Sequence, residues 1–170
     1  GLGDVYKRQI LPGQTLNLAF FQVVTTGLDS DNTIQDAISN YTFAVLNQDT
    51  LLSSHVAAWE ELWNEGSISI EGNLELAQAV NASQYGILSS IRDDWPYGLS
   101  PGGLGGPAYQ GHSFWDMETW MYPPLLFLHQ SLAHSCLMYR FNRMTGAATK
   151  ARENGYAGLM FPWESAFTGM

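Results

Sequence analysis

Residues 125–139, Leu-Leu-Phe-Leu-His-Gln-Ser-Leu-Ala-His-Ser-Cys-Leu-Met-Tyr, contain no Asp, Glu, Lys or Arg and would be apolar on several faces of a helix. Pro123 and Pro124 come immediately before them. Proline is tolerated in a first helical turn, where the N–H groups have no intrahelical partner. The pattern predicts a helix from Leu125 to Tyr139. A helix apolar all round must be surrounded by protein or by lipid. This one is too short for lipid, since a spanning helix needs about 20 apolar residues. It therefore asks for protein neighbours on several sides, as in a barrel with an inner ring of helices.

The rest of the chain reads as one strand followed by helices. Residues 14–26 predict a strand, with Leu16 and Leu18 alternating with polar neighbours and β-branched and aromatic residues after them. Gly27 to Asp31 is a turn-rich break. Residues 33–47 and 51–64 carry apolar residues at helical spacing, and Gly66 reads as a C-cap for the second helix. Residues 67–71 alternate and predict a short strand or extended arm. Asn73 predicts an N-cap for a helix to about Ile91, with Glu75 in its first turn. Residues 93–111 form a long loop rich in glycine and proline; such loops are usually functional or disordered. A short charged helix over 147–154 is stopped by Gly155.

Composition excludes several classes. The chain has 170 residues and a net charge of −9. An acidic chain with no basic run is poorly suited to nucleic acid or to an anionic membrane surface. No stretch is long and apolar enough to predict a membrane span. The single cysteine, Cys136, excludes an intrachain disulfide framework and a multi-cysteine zinc site. Inside an apolar helix it reads as a small core residue rather than a nucleophile. No cofactor motif is present: the glycines of 98–106 match neither the phosphate-loop nor the dinucleotide pattern. They read as a flexible cleft wall. Asn40-Tyr-Thr42 and Asn81-Ala-Ser83 match the glycosylation triplet, but on predicted helices. Compartment and oligomeric state stay open.

The chemistry-bearing run is Gly111-His-Ser-Phe-Trp-Asp-Met-Glu-Thr-Trp-Met-Tyr-Pro123. His112, Trp115, Asp116, Glu118 and Trp120 lie close together in it. A second Trp-acid pair, Trp163-Glu164, follows downstream. A pyranose offers C–H groups to an aromatic face and paired hydroxyls to a carboxylate, so the two pairs suit opposite walls of a sugar cleft. The residues alone leave another reading open. Asp116 and Glu118 could be a solvated patch complementing a helix dipole. Against it, Phe114, Trp115, Met117 and Trp120 would bury the region. A carboxylate among aromatics then needs a sugar hydroxyl, a backbone N–H or an arginine. Taken alone, Trp163 with Glu164 reads as a core tryptophan beside a capping acid. His112 lies four residues before Asp116, but no third and fourth metal ligand follow at suitable spacing, so no metal is expected. His55 reads as an ordinary helix residue, and His129 and His134 as structural.

Four segments in order resemble glycoside hydrolase family 65: residues 98–104 (GLSPGGL), 111–124 (GHSFWDMETWMYPP), 151–158 (ARENGYAG) and 161–166 (FPWESA). The similarity runs from about Ile10 to Met170. It implies a mainly α fold: the last strand or strands of a β-sandwich at 10–30, a helical linker at 31–72, and the N-terminal part of an (α/α)6-barrel catalytic domain at 73–170. It implies inverting cleavage of α-glucosides, by water in the hydrolases and by phosphate in the phosphorylases. By the same resemblance Trp115, Asp116, Glu118, Trp163 and Glu164 bind a carbohydrate substrate, and His112 reads as a hydrogen-bond partner of a sugar hydroxyl or of a neighbouring carboxylate. The matching general acid of the family lies downstream of residues 161–166, and no residue here corresponds to it. The chain therefore reads as a fragment. Residues 1–9 resemble a translated sequencing-adapter tail and carry no fold information.

Overall fold

The structure is a computed structural model that describes residues 9–170. Of the tail expected at 1–9, all but Gln9 lies outside the described residues. The chain divides into two compact units, one ending at Ala58 and one running from Trp59 to Met170. Among the described residues it is mainly helical, with one two-stranded sheet.

In the first unit the strand expected at 14–26 is not formed. A strand needs a neighbour to satisfy its backbone, and no described segment pairs with this one. Helix α1 (Thr33–Leu46) is capped by Asn32, whose side chain accepts the Gln35 N–H at 3.4 Å, a cap that the apolar spacing alone did not identify. The Thr25 hydroxyl donates to the Thr33 carbonyl at 2.9 Å, and Phe21 meets Tyr41 edge-on at 6.5 Å. Helix α2 (Gln48–Glu65) follows.

In the second unit, helix α3 (Leu74–Leu88) is capped by Asn73, which accepts the Leu76 N–H at 3.0 Å. It stops short of Ile91. The Ser89 and Ser90 hydroxyls both donate to the Gly86 carbonyl, at 3.3 and 2.8 Å, and so compete with the helical ladder. Residues 67–71 form no strand. Gly66 follows α2 directly, as expected of a C-cap, with its N–H donating to the Leu62 carbonyl at 3.4 Å, and it has a second role. A Cβ there would lie 2.5 Å from the Leu128 carbonyl oxygen, so the glycine permits a close backbone approach.

The apolar run forms two helices rather than one. Helix α4 (Tyr122–Leu128), with its prolines in the first turn, gives way at His129 to helix α5 (Gln130–Asn142). His129 leaves helical geometry (φ −143°, ψ 75°) while its N–H still donates to the Leu125 carbonyl at 2.7 Å. The break seats a wholly buried imidazole whose Nδ1 lies 3.5 Å from Glu65. Helix α6 (Met144–Glu153) ends before Gly155, which takes the left-handed conformation (φ 79°).

Leu99, Met117, Leu125, Cys136 and Tyr139 centre the core of this unit. Only one side of α4 and α5 is covered. Leu126, Phe127, Leu137 and Phe141 are exposed, so the neighbours expected on several sides are present on one. Within the described residues no helix is long and apolar enough to cross a membrane.

Candidate active site

Strand β1 (Ser113–Phe114) pairs antiparallel with strand β2 (Glu164–Ser165), in the register Ser113 with Ser165 and Phe114 with Glu164. This ladder joins the two Trp-acid segments that the sequence separates. The indoles of Trp115 and Trp163 approach to 5.8 Å between centroids at 42°, and Trp120 lies 6.2 Å from Trp115. His112 Nδ1 lies 2.7 Å from Glu164 Oε1, so the histidine of one segment meets the acid of the other. All three indoles are exposed, which leaves aromatic surface open to a ligand.

The two acids of the first segment differ. Asp116 is half-buried at the start of a π-helical turn (Met117–Met121), yet its side chain makes no capping hydrogen bond. Its carboxylate has no hydrogen bond or ion pair among the described residues. Glu118 is fully engaged. Arg140 Nε donates to its Oε1, and Arg140 Nη2 donates to its Oε2 at 3.1 Å. The arginine that a carboxylate among aromatics requires is therefore found by Glu118.

Behind the ladder lies a polar network that sequence reading passed over. Arg140 Nη1 donates to Ser165 Oγ at 2.9 Å, and Nη2 reaches the Phe114 carbonyl at 3.4 Å. The Tyr139 hydroxyl lies 2.7 Å from Ser165 Oγ and donates to the Ala166 carbonyl at 3.0 Å. Helix α5 thus delivers two consecutive side chains to the back of the site. Arg140 is the first charged residue after the apolar run, which was a usable signal. Its partners lie more than 20 positions away and could not be read from spacing.

A cavity of about 270 Å³ opens beside His112, lined also by Tyr97, Gly98, Gln110, Tyr139 and Phe167. The glycine-rich loop forms its wall and packs firmly: Leu99 and Ser100 are buried, and the Leu99 N–H donates to Met117 Sδ at 3.3 Å. Tyr109 and Gln110 hold left-handed backbone (φ 58° and 53°) just before His112, an uncommon conformation for residues with a Cβ. Cys136 is buried one turn before Arg140, as expected of a core residue. Burial, with the Glu118 charge second, pushes its thiol from 9.0 up to about 12. No group of three His, Cys, Asp or Glu able to hold a metal occurs among the described residues.

Residues 86–170 match the glycosyl hydrolase family 65 central catalytic domain. The chain belongs to glycosyl hydrolase family 65. It is 48% identical over 149 residues to a protein-glucosylgalactosylhydroxylysine glucosidase of Dictyostelium discoideum, covering 85% of this chain and 21% of that protein. A kojibiose hydrolase of Mucilaginibacter mallensis is 35% identical over 165 residues, covering 96% of this chain and 24% of the hydrolase. A kojibiose phosphorylase of Caldanaerobacter subterraneus subsp. tengcongensis is 35% identical over 154 residues, covering 88% and 20%. This family 65 chain thus spans about a fifth to a quarter of the length of these curated relatives. A solved structure described as a kojibiose phosphorylase from human microbiome superimposes with a TM-score of 0.70 at 25% identity, over 79% of this chain and 19% of that one.

Proposed function

We propose that this family 65 chain carries the glucose-holding half of the active site of an inverting α-glucoside hydrolase acting on a glucosyl-disaccharide unit. The observation that carries the reading is the β1–β2 ladder, which sets Trp115 beside Trp163 and His112 against Glu164. Trp115 and Asp116 fix the ring of the glucose to be released. Trp163, Glu164 and His112 line the neighbouring wall. Glu118 belongs to the same surface, with its carboxylate anchored by Arg140. In an inverting reaction one carboxylic acid protonates the leaving oxygen while a carboxylate activates water on the opposite face of the sugar. No residue of this chain is assigned the role of that acid. Holding the ring in attack geometry is itself catalytic, because orientation removes entropy from the barrier.

The fold proposal follows the same line. Residues 73–170 are the N-terminal part of an (α/α)6 barrel, residues 31–72 a helical linker and residues 10–30 the end of a β-sandwich. The likeness to a family 65 phosphorylase supports it.

The 48% identity to a glucosidase favours water as the acceptor. The phosphorylase relatives favour phosphate as a second reading. One experiment separates them. The full-length protein is given an α-linked glucosyl disaccharide with and without inorganic phosphate, and the anomer first released is read by NMR. The proposal expects β-glucose in both cases. Turnover only with phosphate, giving β-glucose 1-phosphate, would establish the second reading. Binding without turnover would reduce the protein to a carbohydrate-binding module.

A further inference from the structure

The geometry points to Arg140 as the positioning residue of this site: by gripping Glu118 and Ser165 together it fixes the spacing of the two Trp-acid walls. The inference rests on the functional reading above and adds a residue that the sequence did not single out.

Arg140 is the junction of three segments. Its guanidinium holds Glu118, three residues beyond Trp115, on both carboxylate oxygens. It holds Ser165, directly after Glu164, through Nη1 at 2.9 Å. It also reaches the carbonyl of Phe114, the residue before Trp115, at 3.4 Å. Every nitrogen of the group is engaged, and its side chain is only 15% exposed. Four of its five N–H donors are taken by the protein, so it acts through its partners. A planar fork can serve a carboxylate and a hydroxyl at once, whereas a lysine ammonium is a point charge. Tyr139 reinforces the grip by bonding Ser165 and the Ala166 carbonyl. The ladder itself has only two residues per strand, too few to fix its own geometry. Without Arg140 the two indoles keep only the short ladder and the His112–Glu164 contact between them, and the ring of a bound sugar loses its alignment.

The test uses the full-length enzyme with Arg140→Met, Arg140→Lys and Glu118→Gln, assayed well below the lowest melting temperature. In Arg140→Met, kcat is expected to fall about a hundredfold, the usual scale for a small misplacement of substrate, with KM little changed. Lysine should restore only a minor part. Near-ultraviolet circular dichroism supplies a readout independent of turnover. The coupled indole signal, identified by its loss in Trp115→Phe, should weaken in Arg140→Met and Glu118→Gln while the far-ultraviolet spectrum holds. Parent-like kcat or an undiminished indole signal would overturn the inference. So would a kcat loss that follows loss of fold and is fully restored by lysine. If Arg140→Met does not fold, Glu118→Gln decides by the same criteria. If the parent cleaves no α-glucoside, the functional reading fails, and the indole signal still judges the anchor on its own.

Discussion

Asp116 and Glu118 are two residues apart and meet opposite fates, because only one of them lies within reach of Arg140. A half-buried carboxylate without a protein partner is costly unless a ligand provides one. Asp116→Asn should therefore lower turnover of the full-length enzyme sharply and leave its melting temperature nearly unchanged. The swap keeps shape and removes a charged hydrogen bond worth about 1.5–3 kcal/mol, or about 10- to 150-fold in kcat/KM. Parent-like kinetics would remove Asp116 from the site, and a collapse in melting temperature would assign it to the fold. Cys136 gives a second prediction. Its raised pKa means that the folded state disfavours the thiolate, so this contribution to stability is full below 9.0 and is lost as pH rises toward about 12. The thiol should resist iodoacetamide at pH 8 until denaturant is added, and the melting temperature should begin to fall above about pH 9. Labelling of the folded chain at the unfolded rate would contradict this. At this scale the Trp-acid pairs were legible, because aromatic and acidic residues stand side by side in the sequence. The Arg140 partners were not, because tertiary contact alone brings them together.

Among the elements, the helices were legible and the strands were not. Helix α1 announces itself through apolar spacing, and α3 through apolar spacing and an asparagine cap. The strand expected at 14–26 required a partner that local sequence cannot specify, and the real strands are two residues long, below any periodic signal. The break at His129 was hidden for a different reason. Nothing in the run from Leu125 to Tyr139 disfavours a helix locally; the geometry changes where a buried imidazole meets Glu65, 64 positions earlier. Glycines show the same divide. A Cβ on Gly98 would come within 2.5 Å of Ser113 Oγ, 2.7 Å of Met117 Sδ and 2.9 Å of a Tyr139 ring carbon. Gly98→Ala should therefore cost about 1–3 kcal/mol, as overpacking does, measured as a lower denaturation midpoint. An unchanged midpoint would mean that Met117 and Ser113 yield freely. The loop is thus a packed wall at this point rather than the flexible one its composition suggested.

For the molecule as a whole, the apolar surface decides. Phe127 is 81% exposed and Phe141 60% exposed on the uncovered side of α4 and α5. Burying a side chain of this size stabilises by about 1.5–3 kcal/mol, against a total domain stability of about 5–15 kcal/mol. Residues 10–170 expressed alone should therefore aggregate or melt without cooperativity, through a patch that invites association. They should also lack activity on an aryl α-glucoside. A cooperative monomeric transition would contradict the first expectation. Turnover above the uncatalysed rate would contradict the second, and would mean that an acid of this chain, such as Glu164 or Glu118, can protonate the leaving group.

The short ladder also sets when the site exists. His112 and Glu164 are 52 positions apart, so closing that loop from an open chain costs about 3.5 kcal/mol in lost freedom, plus a constant. Two rungs of pairing do not offset this. Helices α4, α5 and α6, once folded, shorten the distance left to search. The surface that carries the two Trp-acid pairs should then be the last part of this unit to assemble and the first to open. Amide exchange should find it frayed while the helices behind it are still closed.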